Sequence, residues 1–165
     1  MDSLTAAVYL PPLDNPHERA AIGRELAAVL HDLVALSLTG KQLHWMAVGP
    51  LSHSLHLQLD ELVDSWRSMA DTVAERAITI GHTVDGQPAA VAAGTELTPV
   101  TPTEIQDNVL IHEVTHRVAA VAERVRSRLH RVGEVDLVSQ DVLIGVTREL
   151  EKQQWQLRVQ SGTHR

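Results

Sequence analysis

The sequence predicts an all-α fold: four long helices in a bundle, with a long crossover between the second and the third. Two observations carry this expectation. Apolar residues recur in alternating steps of three and four along four long segments, the spacing of one helix face. A Gly-, Pro- and Ala-rich stretch from 82 to 100 separates the segments into two pairs. Two helices, a long crossing and two more helices make a bundle with one crossover.

The first helix starts at "DNPHERAAIG", where Asn15 can cap, Pro16 fits the first helical position and Glu18 stands at the third. Its inward stripe is Ile22, Leu26, Val29, Leu33, Leu36, Gly40 and Leu43, and "VGP" at 48–50 ends it. Ser52 is the expected cap of the second helix, which carries Leu55, Leu59, Leu62, Trp66, Met69 and Val73 and stops near Gly81. Within the crossover, "PAAVAAG" after Gln87 has room for a short helix. Thr101, Pro102 and Glu104 read as a capping box for the third helix. That helix points Ile111, Val114, Val118, Val121, Val125 and Leu129 inward and ends around Gly133. The fourth runs from about Asp136 to Val159 with Leu143, Val146, Leu150 and Leu157 inward. We expect one domain over 1–165, with 1–15 as an N-terminal extension and 160–165 as a short C-terminal tail.

Composition narrows the function. At 165 residues and 44% hydrophobic, the chain can bury a sizeable core. With three Trp, one Tyr and no Phe, that core must be Leu, Val, Ile and Ala. The absence of Cys excludes disulfides and thiolate metal sites and fits a reducing cytoplasm. The opening "MDSLTAAVYLPPLDNP" lacks a basic region and a long apolar run, so no secretory signal is expected. No segment approaches the roughly 20 apolar residues of a membrane span. A net charge of −7 suits cations better than nucleic acid.

The second helix carries two polar pairs at i, i+4 spacing: His56 with Asp60, and Asp71 with Glu75. Each pair stacks on one helix face, as metal ligands often do. Asp60 and Asp71 are eleven residues apart, about 16 Å along a helix. Metal–oxygen and metal–nitrogen bonds are about 2 Å long, so one ion cannot be held by both pairs of one chain. With Leu55 as origin, the four residues fall at about 100°, 140°, 160° and 200°, away from the bundle's own core. A solvated polar face is the plain alternative, but Val63, Ala74 and Ile78 share this side.

The two pairs share one midpoint, between Ser65 and Trp66. If two copies of the helix pack antiparallel across a two-fold there, His56 and Asp60 of one chain meet Glu75 and Asp71 of the other. An isologous dimer then has two identical metal sites. Asp64 and Arg67 straddle the same point, so they can pair across the axis or, at i, i+3, within one helix. His44, in the last turn of the first helix, can reach the height of His56. Two His and three carboxylates without thiolate suit iron, manganese or zinc.

These residues resemble a known family. "KQLHWMAVG" followed by "LHLQLDELVDSWRSMADTVAER" is similar to the Dps proteins, the mini-ferritins named for DNA protection during starvation. Their motif, K-x-x-H-W, a second His twelve residues after the first, Asp four later, then D-x-x-A-E-R, falls here on Lys41, His44, Trp45, His56, Asp60, Asp71, Glu75 and Arg76. "TRELEKQQW" continues the likeness weakly, and it covers most of 18–157. The resemblance implies a ferritin-like four-helix subunit in a hollow homododecamer built from two-fold dimers. It implies an iron-storage ferroxidase with a di-iron centre between subunits: His44, His56 and Asp60 from one, Asp71 and Glu75 from its partner. Ferrous iron would be oxidised by hydrogen peroxide, in preference to dioxygen, protecting DNA from oxidative damage. A cytoplasmic, nucleoid-associated location follows from the same likeness. Trp45 is expected to be an interface aromatic, with interception of stray oxidants as the other role. Glu134, Asp136 and Asp141 resemble in position the acids of the family's three-fold pores; complementing a helix dipole is the alternative.

Two other readings stand beside it. "HEVTH" at 112–116 matches the zinc-protease pattern H-E-x-x-H. With Ile111 at 0°, however, the apolar face centres near 320° while His112 and His116 lie at about 100° and 140°, on the outside. A DNA-compacting protein is the third reading. The first sixteen residues hold no Lys or Arg, and "RVQSGTHR" offers only Arg158 and Arg165, so DNA binding is expected to be weak or absent.

Overall fold

Why the chain turns where it does is visible at the helix ends. In the computed structural model, which describes residues 12–161, α1 spans Pro16–Met46 and begins as its sequence predicts, with the Asn15 side chain accepting a hydrogen bond from His17 N. The rest is β1 (Ala47–Val48), α2 (Ser52–Thr79), α3 (Pro88–Gly94), β2 (Ile105–Gln106), α4 (Asp107–Gly133) and α5 (Leu137–Gln160). The expected extensions at 1–15 and 160–165 lie largely outside the described residues.

The architecture is the expected four-helix bundle with a long crossover between its second and third long helices. α1 packs on α2 and α4 on α5 as two hairpins, and α1 against α4 and α2 against α5 join them. The core follows the 3.6-residue stripes: Leu26, Leu33, Trp66, Val73, Val118, Val125, Leu143 and Leu150 have no measurable exposure. Val63, on the polar side of the expected α2 wheel, is also buried, because α1 closes over it. That approach depends on Gly40, where an added Cβ would lie 2.5 Å from Trp66 Cζ3 and 2.8 Å from Val63 Cγ2. Trp66 donates to Gln153 Oε1 at 2.8 Å, and Gln153 donates to Ser65 Oγ at 2.9 Å, so the buried polar atoms between α2 and α5 satisfy one another.

Two helix starts differ from expectation. Ser52 is the first residue of α2, and Leu51 in the cap position offers no side-chain bond. Instead Asp107, from α4, accepts from Leu51 N at 2.8 Å. The capping box expected at Thr101–Glu104 does not start a helix; α4 begins at Asp107. Just before it, Ile105 and Gln106 are extended and pair in parallel with Ala47 and Val48. The turn before α2 needs Gly49 at φ +131°, where a Cβ would collide with the Asp107 carboxylate. The short crossover helix forms where "PAAVAAG" predicts it, with Pro88 in its first turn.

The crossover is tied down by polar contacts as well. Asp32, buried in α1, accepts from Thr95 Oγ1 at 2.9 Å and from Arg124 Nε of α4 at 2.8 Å. No described helix is long and apolar enough to cross a membrane.

Candidate metal centre

Close packing of the α1–α2 hairpin sets the last turn of α1 beside the first turns of α2, and that places His44 against His56. Their ring centroids are 4.3 Å apart in an edge-to-face arrangement, with His56 Nδ1 3.3 Å from His44 Nε2. One turn further along α2, Asp60 Oδ2 lies 3.2 Å from the same His44 nitrogen. Three of the five expected ligands therefore converge within one chain.

Lys41 completes the group, one turn before His44. Its ammonium donates to Asp60 Oδ1 at 2.6 Å. The sequence placed Lys41 in the motif without a role, although its i, i+3 spacing to His44 sets both on one face. The hydrogen bond from Lys41 holds the Asp60 carboxyl below the ordinary carboxylate range. Burial and the positive charge of Lys41 lower the His44 pKa, outweighing the opposite pull of Asp60. A neutral imidazole and an ionised carboxylate at neutral pH are the protonation states that metal coordination requires. His44 Nδ1 is buried with no described partner, a polar atom left for something outside this group.

Asp71 and Glu75 lie further along α2. Both are exposed, and neither side chain makes a hydrogen bond or ion pair with any described residue. Asp71 borders an open groove of about 440 Å³ lined by Leu30, Val34, Leu38, Ala70 and Ala74. Ile78, half exposed, follows on the same helix. Within one chain, no group of three or more His, Cys, Asp or Glu among the described residues could by itself hold a metal ion. The Asp64–Arg67 pair forms within one helix, at 3.8 Å and well exposed.

Of the three expected pore acids, Asp136 is already engaged. It caps α5, accepting from Val138 N, Ser139 N and the Ser139 hydroxyl, and it pairs with Arg76 at 2.6 Å. Glu134 and Asp141 are exposed, with Glu134 3.5 Å from His130. In "HEVTH", Glu113 is held by Arg117 at 2.7 Å, and His112 and His116 face outward.

Comparison with known proteins places the chain in a family. The model of the ferritin-like domain matches residues 24–163. The "DNA protection during starvation protein" of Mycolicibacterium smegmatis is 35% identical over 74% of this chain and 67% of its own length. The chain belongs to the Dps family. A second Dps relative, "DNA protection during starvation protein 2" of Deinococcus radiodurans, is 32% identical over 81% of this chain, which spans 55% of that protein's length. Among solved structures, Dps from Microbacterium arborescens in a high iron form has a TM-score of 0.84 and 31% identity, covering 92% of this chain and 98% of that one. The Dps family is one of DNA protection during starvation within the iron-storing ferritin-like proteins.

Proposed function

We propose that this Dps chain is a ferroxidase subunit of an iron-storage cage, with ferrous iron as substrate and hydrogen peroxide as the preferred oxidant. The observation that carries the reading is the division of donors along α2, with His44 of α1 beside its start. His44, His56 and Asp60 converge at one end, while Asp71 and Glu75 stand exposed and unpartnered towards the other. The shared midpoint between Ser65 and Trp66 makes the two groups complementary across a two-fold axis. The donors are nitrogen and carboxylate oxygen, which fit iron, and the Microbacterium Dps whose structure is of a high iron form is a similar fold.

In this reading the residues work in sequence. Asp60, ionised against Lys41, attracts the cation, and the ion displaces the ammonium. His44 and His56 supply neutral nitrogen from one chain, and Asp71 and Glu75 supply negative charge from the partner. Carboxylates are hard ligands and favour Fe(III) over Fe(II). Two Fe(II) ions each give up one electron. One hydrogen peroxide takes both, its O–O bond breaks, and with two protons it leaves as two water molecules. Pairing the electrons in this way avoids releasing hydroxyl radical. A homododecamer of two-fold dimers would store the product, and Glu134 and Asp141 are the exposed acids left to line its entry pores. Protection of DNA then follows from removing iron and peroxide together.

Mixed assemblies test the split site. Asp60→Asn and Glu75→Gln subunits should each oxidise iron slowly while still assembling. Co-assembled, they should recover activity through mixed dimers that contain one intact site. No recovery in assemblies shown by mass spectrometry to be mixed would rule the arrangement out.

A further inference from the structure

We propose that His112 and His116 form a second metal site, a two-imidazole chelate on the outer face of α4 for a borderline divalent cation, Cu(II) ahead of Ni(II) and Zn(II). Both residues sit inside a continuous 27-residue helix, one turn apart and exposed. Side chains at i and i+4 stand about 5–6 Å apart at Cβ and lean the same way along the axis. Two imidazoles can therefore approach one ion with no movement of the backbone.

The surroundings favour a chelate over the hydrolase that "HEVTH" suggests. A hydrolase needs Glu113 as a free base, but Arg117 grips that carboxylate through two nitrogens, each at 2.7 Å. Arg117 is itself buried and donates to the Thr98 carbonyl at 2.7 Å, so the pair is locked against the crossover. Thr115, between the histidines, gives its hydroxyl to the Ile111 carbonyl at 2.6 Å. The other polar side chains of the motif are thus occupied within the fold. The His112 and His116 side chains make no hydrogen bond, ion pair or ring contact among the described residues. Nothing has to be broken for them to bind.

Ligand chemistry separates this site from the iron centre. A pair of neutral imidazoles with the remaining positions open to water holds borderline cations, in the order that peaks at Cu(II), far better than Fe(II) or Mn(II). The interchain centre is rich in carboxylate and suits the harder iron. The chain would thus hold two redox-active metals at opposite kinds of site, and copper on the outer pair would not compete with iron for its ligands.

Calorimetric titration of the assembled, metal-free protein with Cu(II), alongside electron paramagnetic resonance of the bound ion, tests the proposal. The intact chain should bind one more tight Cu(II) per subunit than His112→Ala or His116→Ala, and the two-nitrogen hyperfine pattern of that added equivalent should be missing in either variant. Removing one arm of the chelate should weaken that site by at least about tenfold, since the second imidazole binds intramolecularly. Glu113→Gln should leave the extra equivalent in place, and ferrous oxidation should be unchanged in both histidine variants. Equal Cu(II) stoichiometry in the intact and His→Ala proteins overturns the site. Loss of the equivalent in Glu113→Gln overturns the two-imidazole assignment.

Discussion

Arg76, near the end of α2, places its guanidinium 2.6 Å from the Asp136 carboxylate at the cap of α5, a largely buried ion pair between the two hairpins. The same guanidinium donates through Nε to Ser139 Oγ at 2.9 Å. Asp136→Ala should therefore cost about 3–5 kcal/mol, because it leaves Arg76 charged and unpaired. The lost cap accounts for only about 1 kcal/mol of that. Asp136→Asn should fall between, keeping the cap oxygen but not the charge. Urea unfolding monitored by circular dichroism reads both.

The pH dependence has a definite sign. Burial pushes the Asp136 carboxyl up, but hydrogen bonds from Ser139 and Arg76 and the Arg76 charge outweigh it and hold it below its ordinary value. A lowered folded pKa means that the unfolded chain binds the proton more readily. The contribution is complete above about pH 4, the unfolded carboxyl value, and is lost as pH falls through the folded one. In Asp136→Ala the acid limb of the stability curve should be flatter.

Lys41 should act as a competitor for the metal. In Lys41→Met, Asp60 loses its cation and His44 loses one of the charges that lower its pKa. In the intact chain His44 should stay neutral to a lower pH than an ordinary histidine, near 6.5, so its contribution to stability is full above that value and is lost as pH falls below it. The substitution should move the His44 titration upward, as read by NMR of the metal-free protein. At neutral pH it should also speed oxidation several-fold at low ferrous concentration. An unmoved titration would show that the Lys41 contact is not maintained in solution.

Gly40→Ala sets two effects against each other. Helix propensity favours Ala by about 1 kcal/mol. The added methyl, 2.5 Å from the Trp66 ring, forces α1 and α2 apart at an overpacking cost of about 1–3 kcal/mol. The net should be destabilising by up to about 2 kcal/mol, visible as a lower urea midpoint.

DNA binding should be absent at moderate salt. Nonspecific affinity comes from phosphate neutralisation, and a chain at −7 with two arginines in its last eight residues has little to offer. No shift of linear duplex is expected in a gel at about 150 mM salt. A shift abolished by removing the last eight residues would identify that tail as an anchor.

The helices, the short crossover helix and the approach of His44 to His56 were legible because each rests on local spacing. Asn15, Pro16 and Glu18 mark their helix start correctly, since the signal lies within one turn. Thr101 and Glu104 carry the same local signal and mislead, because a tertiary pairing with Ala47 and Val48 holds the next two residues, Ile105 and Gln106, as a strand. The pairing itself is two residues long, too short for any period to reveal. Asp136 was legible only as an acid near a helix start; that it is committed to Arg76, sixty residues earlier, depends on how the hairpins meet.

The parallel ladder between β1 and β2 also bears on kinetics. Each hairpin is built from contacts close in sequence, and such contacts form early, whereas the ladder joins residues on either side of the whole second helix and crossover. Its contribution should be missing from the folding transition state, with a φ-value near zero. The ladder then acts as a brake on opening: weakening it through Ile105→Ala should raise the unfolding arm of a chevron at unchanged slope while the refolding arm stays put.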